Sequence, residues 1–302
     1  MSRPKPVPQM TIAQFDATFP DEDACKTYLQ ARRWPNGVRC PRCGNDKVFP
    51  VKSMPFKWQC YACTPNQGYR FSVIAGTIFE NTNKPLRDWF RVVHLMLASK
   101  KGMSALQIQR MLGFGSYETA HSMCHKIRAA LIAPEAKLGG IVEVDETFIG
   151  GKSYNKHGRR GGKGRGGLGS GKTPVVGAIS RKGNVIARVI ETVSAQHLTA
   201  FVTEAVSEKV SLLVTDQWTG YRDLHKTYGD KHKIIRHTHD EYVVGAVHTQ
   251  TIEGFWSLVK RGVVGTFHKV SKKYLPLYVA EFQFRHNNRQ NPDIFGAAIA
   301  GC

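Results

Sequence analysis

Ile141-Val-Glu-Val-Asp-Glu-Thr-Phe-Ile149 decides how the C-terminal half of this chain is read. Its β-branched and aromatic residues predict a strand. An acid at position 145, inside an otherwise apolar strand, is costly unless it is paired or binds a metal. Working outward, Pro174-Val-Val-Gly-Ala-Ile179 and Asn184-Val-Ile-Ala-Arg-Val-Ile-Glu191 are two further strands, joined across the hairpin signal Arg181-Lys182-Gly183. A helix is expected over 195–206. Ser211-Leu-Leu-Val-Thr-Asp216 is a nearly continuous apolar run ending in an acid, the pattern of a buried central strand. A strand at 233–237 and a helix over 251–261 complete the order β-β-β-α-β-α-β-α, which is that of a ribonuclease H-like mixed sheet. The chain is thus expected to be an α/β protein with this sheet in its last domain, 139–302.

Before Gly139 the rhythm is different. Residues 1 to about 10 are Pro-rich, and 11–34 carry Ile12, Phe15, Phe19, Cys25, Tyr28 and Leu29 at roughly helical spacing. Residues 85–133 are helical in pattern. Leu86, Trp89, Phe90, Val93 and Leu97 form one apolar stripe; Leu106, Ile108, Met111 and Leu112 form a second; Ala120, Met123, Ile127, Ala130 and Leu131 form a third. The divisions expected are a tail and short helical region at 1–38, a cysteine module at 39–75, a helical region at 76–138 and the mixed-sheet domain.

Charge narrows the partners. Among 302 residues, 43 Lys and Arg stand against 23 Asp and Glu, a net charge of +20. Such an excess favours a polyanion, since each phosphate neutralised releases condensed counterions. Charge of this kind suits RNA, DNA and anionic membrane alike. No apolar run approaches the ~20 residues of a bilayer span, and Met1–Met10 has no apolar signal core. A cytoplasmic setting is therefore expected, where paired cysteines point to metal rather than to disulfides.

Cys40-Pro-Arg-Cys43 and Cys60-Tyr-Ala-Cys63 form C-x2-C-x16-C-x2-C. Two such knuckles bring four thiolates to one tetrahedral Zn2+, and four protein ligands leave no open position, so the zinc is structural. Cys25, Cys124 and Cys302 have no partner at ligand spacing and are read as ordinary thiols.

Two segments admit two readings each. Lys101–Gly113 followed by Ser116–Arg128 has helix-turn-helix character, with Ser104 and Ser116 at N-cap positions and Gly113 ending the first helix. Its second helix would present His121, His125, Lys126 and Arg128 to DNA; an ordinary helical hairpin has the same pattern. Gly150–Lys172 holds ten Gly and seven Lys or Arg in 23 residues, with no acid. This basic insertion is a DNA-backbone contact through residues such as Arg159, Arg160 and Arg165, or a tolerated loop. Its Gly166–Thr173 stretch matches G-x4-G-K-[ST], but Pro174 and a β-rich run follow where a helix should open, so the match is a decoy.

The acids carry the chemistry. Asp145 sits in the first strand, Asp216 ends the buried strand, and Glu253 lies on the helix at the border of an apolar arc made by Ile252, Phe255, Trp256 and Val259. Asp216 also suits a turn cap, and Glu253 an exposed helix acid, although the border of the arc fits the rim of a site better than open solvent. Three hard oxygen ligands on separate elements suit two Mg2+ (or Mn2+) ions, with Lys260, seven residues beyond Glu253, and Arg261 available to DNA phosphate.

Glu143-Val-Asp-Glu-Thr-Phe-Ile-Gly-Gly151, Thr215–Tyr221, His248–Gly262, Gly265–Ser271 and Glu281–Arg285 resemble the zinc-ribbon insertion-sequence DDE transposases related to the eukaryotic Merlin elements. The resemblance covers nearly all of the chain from about residue 15. It implies Asp145, Asp216 and Glu253 as the acidic triad and Lys260 as the associated base. It also implies terminal inverted repeats of double-stranded DNA as substrate, a 3′-hydroxyl joined to target DNA, a homodimer or larger assembly, and a prokaryotic host. Gln250 departs from the family, which usually has Asn there. His237, His239 and His248 are nearby and suit positioning or core roles. Two rivals remain at this level: a non-catalytic zinc-ribbon and helix-turn-helix regulator, and a ribonuclease H-like junction nuclease.

Overall fold

The structure, a computed structural model, describes residues 10–132, 134, 136–150, 171–216, 218–235 and 249–302. The chain forms two compact units, Met1–Ala133 with Asn288–Cys302, and Pro134–Asn287. The last fifteen residues, expected from sequence to lie with 139–302, instead belong with the N-terminal unit.

In the first unit, α1 (Ile12–Thr18) and α2 (Glu22–Arg33) start at the side-chain caps Thr11 and Asp21. The cysteine module follows as a three-stranded antiparallel sheet, β1 (Phe49–Pro50), β2 (Lys57–Cys60) and β3 (Tyr69–Ser72). Next come α3 (Leu86–Ala98), α4 (Ala105–Leu112) and α5 (Tyr117–Ala130). Ser104 and Ser116 cap α4 and α5 through their hydroxyls, and Gly113 closes α4 in the left-handed conformation, φ 66°. Helix α3 begins at Pro85, which has no side-chain cap. Glu22 of α2 supplies the missing acceptor, taking the N–H groups of Leu86 and Arg87 at 2.9 and 3.2 Å.

The core of this unit is aromatic. Phe15, Phe19, Tyr28 and Phe90 meet Phe295 of the C-terminal helix Ile294–Gly301, with ring centroids 5.0–6.3 Å apart. All five residues of the first helical stripe are buried. The second stripe is broken: Ile108 is buried, whereas Leu106 and Met111 are 43% and 53% exposed. A helix as short as α4 buries only a narrow seam, so apolar residues one position off it remain in solvent.

The second unit holds a five-stranded sheet in the order β6-β5-β4-β7-β8. Its elements are β4 (Ile141–Ile149), β5 (Thr173–Ser180), β6 (Val185–Val189), α6 (Ala195–Ala205), β7 (Leu212–Asp216), α7 (Leu224–Tyr228), β8 (His232–Ile235), α8 (Gln250–Gly262) and α9 (Leu275–Asn287). The first three strands form an antiparallel meander, and β7 and β8 run parallel to β4. This is the ribonuclease H-like mixed sheet expected from the element order. Lys182 turns the β5–β6 hairpin at φ 61°.

Apolar layers cover both faces. One packs Val142, Val144, Val176, Ala178 and Leu213 against α6, Tyr221 and α7. The other packs Ile149, Val175, Ile179 and Val185 against α8 and α9. Edge strand β6 would otherwise present open backbone groups. Side chains of α9 occupy them: Gln283 accepts from Ala187 N–H, and Asn287 both accepts from and donates to the Val185 backbone. Among the described residues no helix is long and apolar enough to cross a membrane.

Candidate active site and metal centre

The four cysteines of the ribbon converge. Cys40 Sγ lies 3.6 Å from Cys63 Sγ, and Cys43 Sγ lies 3.7 Å from Cys60 Sγ. Tetrahedral Zn2+ with Zn–S of about 2.3 Å sets sulfur–sulfur edges of about 3.8 Å, so the set fits zinc. The first knuckle is built by Gly44 at φ 74°, whose N–H returns to Cys40 C=O at 2.8 Å. Burial opposes ionisation of the Cys40 thiol, but the N–H groups of Cys43 and Arg42 outweigh it and hold the thiol below its ordinary range. Around the knuckles Trp58, Phe71 and Tyr69 stack in sequence, Trp34 meets Trp58 and Phe71 edge-on, and Arg42 lies 4.0 Å over the Tyr69 ring.

The carboxylates gather on one face of the mixed sheet. Strand alternation puts Glu143, Asp145 and Thr147 together on β4. In the parallel pair Glu143 stands opposite Val214 on β7, so Asp216, two residues on from Val214, shares that face. Helix α8 lies over the same face and brings Glu253 in its first turn. The seating of α8 depends on Gly177, the β5 residue directly opposite Asp145. A Cβ at Gly177 would stand 2.7 Å from Trp256 Cζ2 and 3.3 Å from Ile252 Cδ1. Only a residue without a side chain lets Trp256 rest on the sheet beside Asp145. Gly177→Ala should therefore lower stability by about 1–3 kcal/mol, the usual range for overpacking. Denaturant unfolding checks this, and an unchanged midpoint would mean that the ring yields instead.

Electrostatics mark the same place. Burial pushes the Asp145 carboxyl up to about 7, and Glu146, Asp216 and Glu253 push it in the same direction. Asp216 also fills the turn role its position allows, with Oδ1 accepting from Trp218 N–H at 2.9 Å. Glu253 is exposed, and the Thr249 hydroxyl donates to it at 3.0 Å. Among the described residues, only the four cysteines bring three or more ligand atoms within 4.8 Å of one another. The acids are thus an electrostatic cluster rather than a closed cage, and hard oxygen donors in mutual repulsion are chemistry that fits divalent cations.

Two acids beyond those expected belong to this region. Glu146, on the opposite face of β4, accepts a 2.6 Å hydrogen bond from the buried Tyr221 hydroxyl. Burial raises its pKa, and Asp216 adds to the rise. Glu143 is fully buried on the Asp145 face. The sequence held a signal for both, since three acids crowd the centre of one mostly apolar strand.

The expected DNA contacts fare unequally. Lys260 and Arg261 are exposed on α8. Lys260 joins Lys172, Glu146, Gly150 and Val264 in lining a cleft of ≈ 370 Å³ beyond the C-terminal end of β4. Lys126 is exposed on α5, 5.9 Å above the Trp89 ring. Arg128 does not face solvent: it is 1% exposed, so the expectation of a DNA contact there is corrected. It belongs to the buried face of α5, with Ala120, Met123, Cys124 and Ile127, and the side chains packed there cover it. His121 and His125 stack with ring centroids 4.1 Å apart on the same helix. Arg159, Arg160 and Arg165, the other residues of the basic insertion between 151 and 170, and His237, His239 and His248 lie outside the described residues.

Known proteins resemble this chain in both of its parts. The ISXO2-like transposase domain matches residues 137–287, and the transposase zinc-ribbon domain matches residues 20–66. A protein of transposable element ISH50 from Halobacterium salinarum, itself uncharacterised, is 29% identical over 283 residues, covering 91% of this chain and 94% of its own. Among solved structures, the simian T-cell lymphotropic virus intasome in complex with the PP2A regulatory subunit B56 gamma shares 12% identity over 65% of each chain, with a TM-score of 0.30. The Mos1 strand transfer complex shares 13% identity over 73% of this chain and 76% of its own, with a TM-score of 0.29. At these scores the structural likeness is slight. The two domain matches fall on the cysteine module and on the sheet that bears the acids, and the chain belongs to the ISXO2-like transposases with a zinc-ribbon domain.

Proposed function

We propose that this chain binds the terminal inverted repeats of its element, hydrolyses the DNA at their ends, and joins the freed 3′-hydroxyl to target DNA. The observation that carries the reading is the placing of Asp145, Asp216 and Glu253 on one sheet face, where burial first, then Glu146, Asp216 and Glu253, lift the Asp145 carboxyl to about 7. Asp145 and Asp216 would hold divalent cations from adjacent parallel strands, and Glu253 would close the set from α8. When bound, Mg2+ or Mn2+ supplies activation of the attacking oxygen and stabilisation of the leaving one. Tyr221 fixes Glu146 beside the centre, and Lys260 in the adjoining cleft neutralises a phosphate of the DNA strand. The zinc ribbon and the α4–α5 pair supply end binding, with Lys126 on the exposed side of α5. Two ends must be brought together, so the working form is a dimer or larger assembly of a nucleoid-associated prokaryotic protein.

The test is cleavage of a duplex carrying the element's own ends, with Mg2+ or Mn2+ present. Wild type should release a 3′-hydroxyl at the element boundary, and Asp216→Asn should not while still shifting end DNA in a gel. Lys260→Ala should slow cleavage and lower the salt dependence of end binding by about one counterion's slope. Cleavage by Asp216→Asn at the wild-type rate would sink the assignment.

A further inference from the structure

Glu143 is a buried charge for which the reaction itself has no use. It is fully buried in the middle of β4, two residues before Asp145 and on the same face. Its two oxygens are directed at the start of α8. Oε2 accepts from the backbone N–H groups of Thr251 and Ile252 at 2.8 and 3.0 Å, and Oε1 accepts from the Thr251 hydroxyl at 2.9 Å. Arg181, on the β5–β6 turn, donates to Oε1 at 2.7 Å and balances the charge.

These are the donors that an N-cap side chain normally satisfies, those of the second and third residues of a helix. Thr249, the residue at the N-cap position of α8, makes no such bond, and its hydroxyl turns instead to Glu253. The cap is therefore supplied from a strand 108 residues away in sequence. A carboxylate there also meets the positive end of the helix dipole. The consequence is geometric: the two residues gripped by Glu143 are the pair immediately preceding Glu253. Trp256 on Gly177 sets how close α8 lies to the sheet, and Glu143 sets where along the strand the helix begins.

We infer that Glu143 is a positioning residue of the carboxylate centre, holding Glu253 in register with Asp145 by capping α8 from β4. The inference rests on the reading of Asp145, Asp216 and Glu253 as the metal-holding set. It predicts that loss of the cap weakens cation binding more than it weakens the fold.

The experiment uses the full zinc-loaded chain and Mn2+ alone, with binding read from the free-ion electron paramagnetic resonance signal. Glu143→Gln should fold and bind Mn2+ about 10- to 100-fold more weakly, the range for substitutions of groups that orient metal ligands. In end cleavage, the Mn2+ concentration for half-maximal rate should rise in parallel, with much of the rate restored at saturating Mn2+. A purely structural role would lower the active fraction and leave that concentration unchanged, which overturns the inference. Should Glu143→Gln not fold, Thr251→Val decides: it removes one donor only, and a half-saturating Mn2+ equal to that of wild type would overturn the proposal. Asp145→Asn separates the two levels. If it binds Mn2+ as wild type does, the metal-holding set is misassigned; if it fails to bind while Glu143→Gln binds normally, only the positioning role falls.

Discussion

Asp145→Asn is expected to abolish end cleavage, by about a thousand-fold or more, equivalent to about 4 kcal/mol of barrier, while making the zinc-loaded protein, free of Mg2+ and Mn2+, more stable at pH 8. The two effects have one cause. Burial, Glu146, Asp216 and Glu253 lift the Asp145 carboxyl from an ordinary 3.8 to about 7. Between those values the folded chain holds a proton that the unfolded chain has lost, so stability falls as pH rises across this window. Above about 7 the folded protein carries the full cost of an ionised Asp145 among like charges. Asparagine removes that charge. The melting temperature of the zinc-loaded chain without Mg2+ or Mn2+ should therefore rise by at least about 3 °C at pH 8 and show little gain at pH 4, where aspartate is protonated in the fold. With Mn2+ present the order should reverse, since wild type gains stability by binding and the variant does not. A variant that cleaves, or one that is no more stable than wild type at pH 8, removes Asp145 from the centre.

The second large effect concerns the ribbon. Strands of two to four residues around Cys40, Cys43, Cys60 and Cys63 enclose little apolar surface beyond Trp58 and Phe71. Structural Zn2+ contributes about 10–16 kcal/mol in comparable small modules. Cys60→Ser, or removal of zinc by a chelator, should unfold 39–75 and abolish specific end binding. Metal analysis of the purified chain should give one zinc per chain for wild type and none for Cys60→Ser. Cys302→Ser, whose thiol donates to the Ala298 carbonyl, should keep its zinc. Retention of zinc by Cys60→Ser would place the metal elsewhere. Restoring zinc to the stripped wild-type chain should restore binding, because the ligands are thiols rather than a disulfide.

Much of this molecule follows from short-range pattern. Paired cysteines at knuckle spacing, the Ser104 and Ser116 caps, the Gly113 stop, and the β-branched run of β4 each depend on residues within a turn or two. Alternation along β4 and β7 places Asp145 and Asp216 on a common face once the sheet order is known. These features were legible because helix period, strand period and capping are local rules. What only the tertiary structure decided involves partners far apart in the chain. Arg128 turns inward, Leu106 and Met111 remain in solvent, and Asn288–Cys302 returns to the N-terminal unit. Gly177 matters because Trp256 comes to rest on it, and Glu143 because α8 has no cap of its own. Composition and periodicity carry the preference of each residue for inside or outside. Which buried charge meets which helix end is settled only when packing removes water, and every buried polar group must then find its partner.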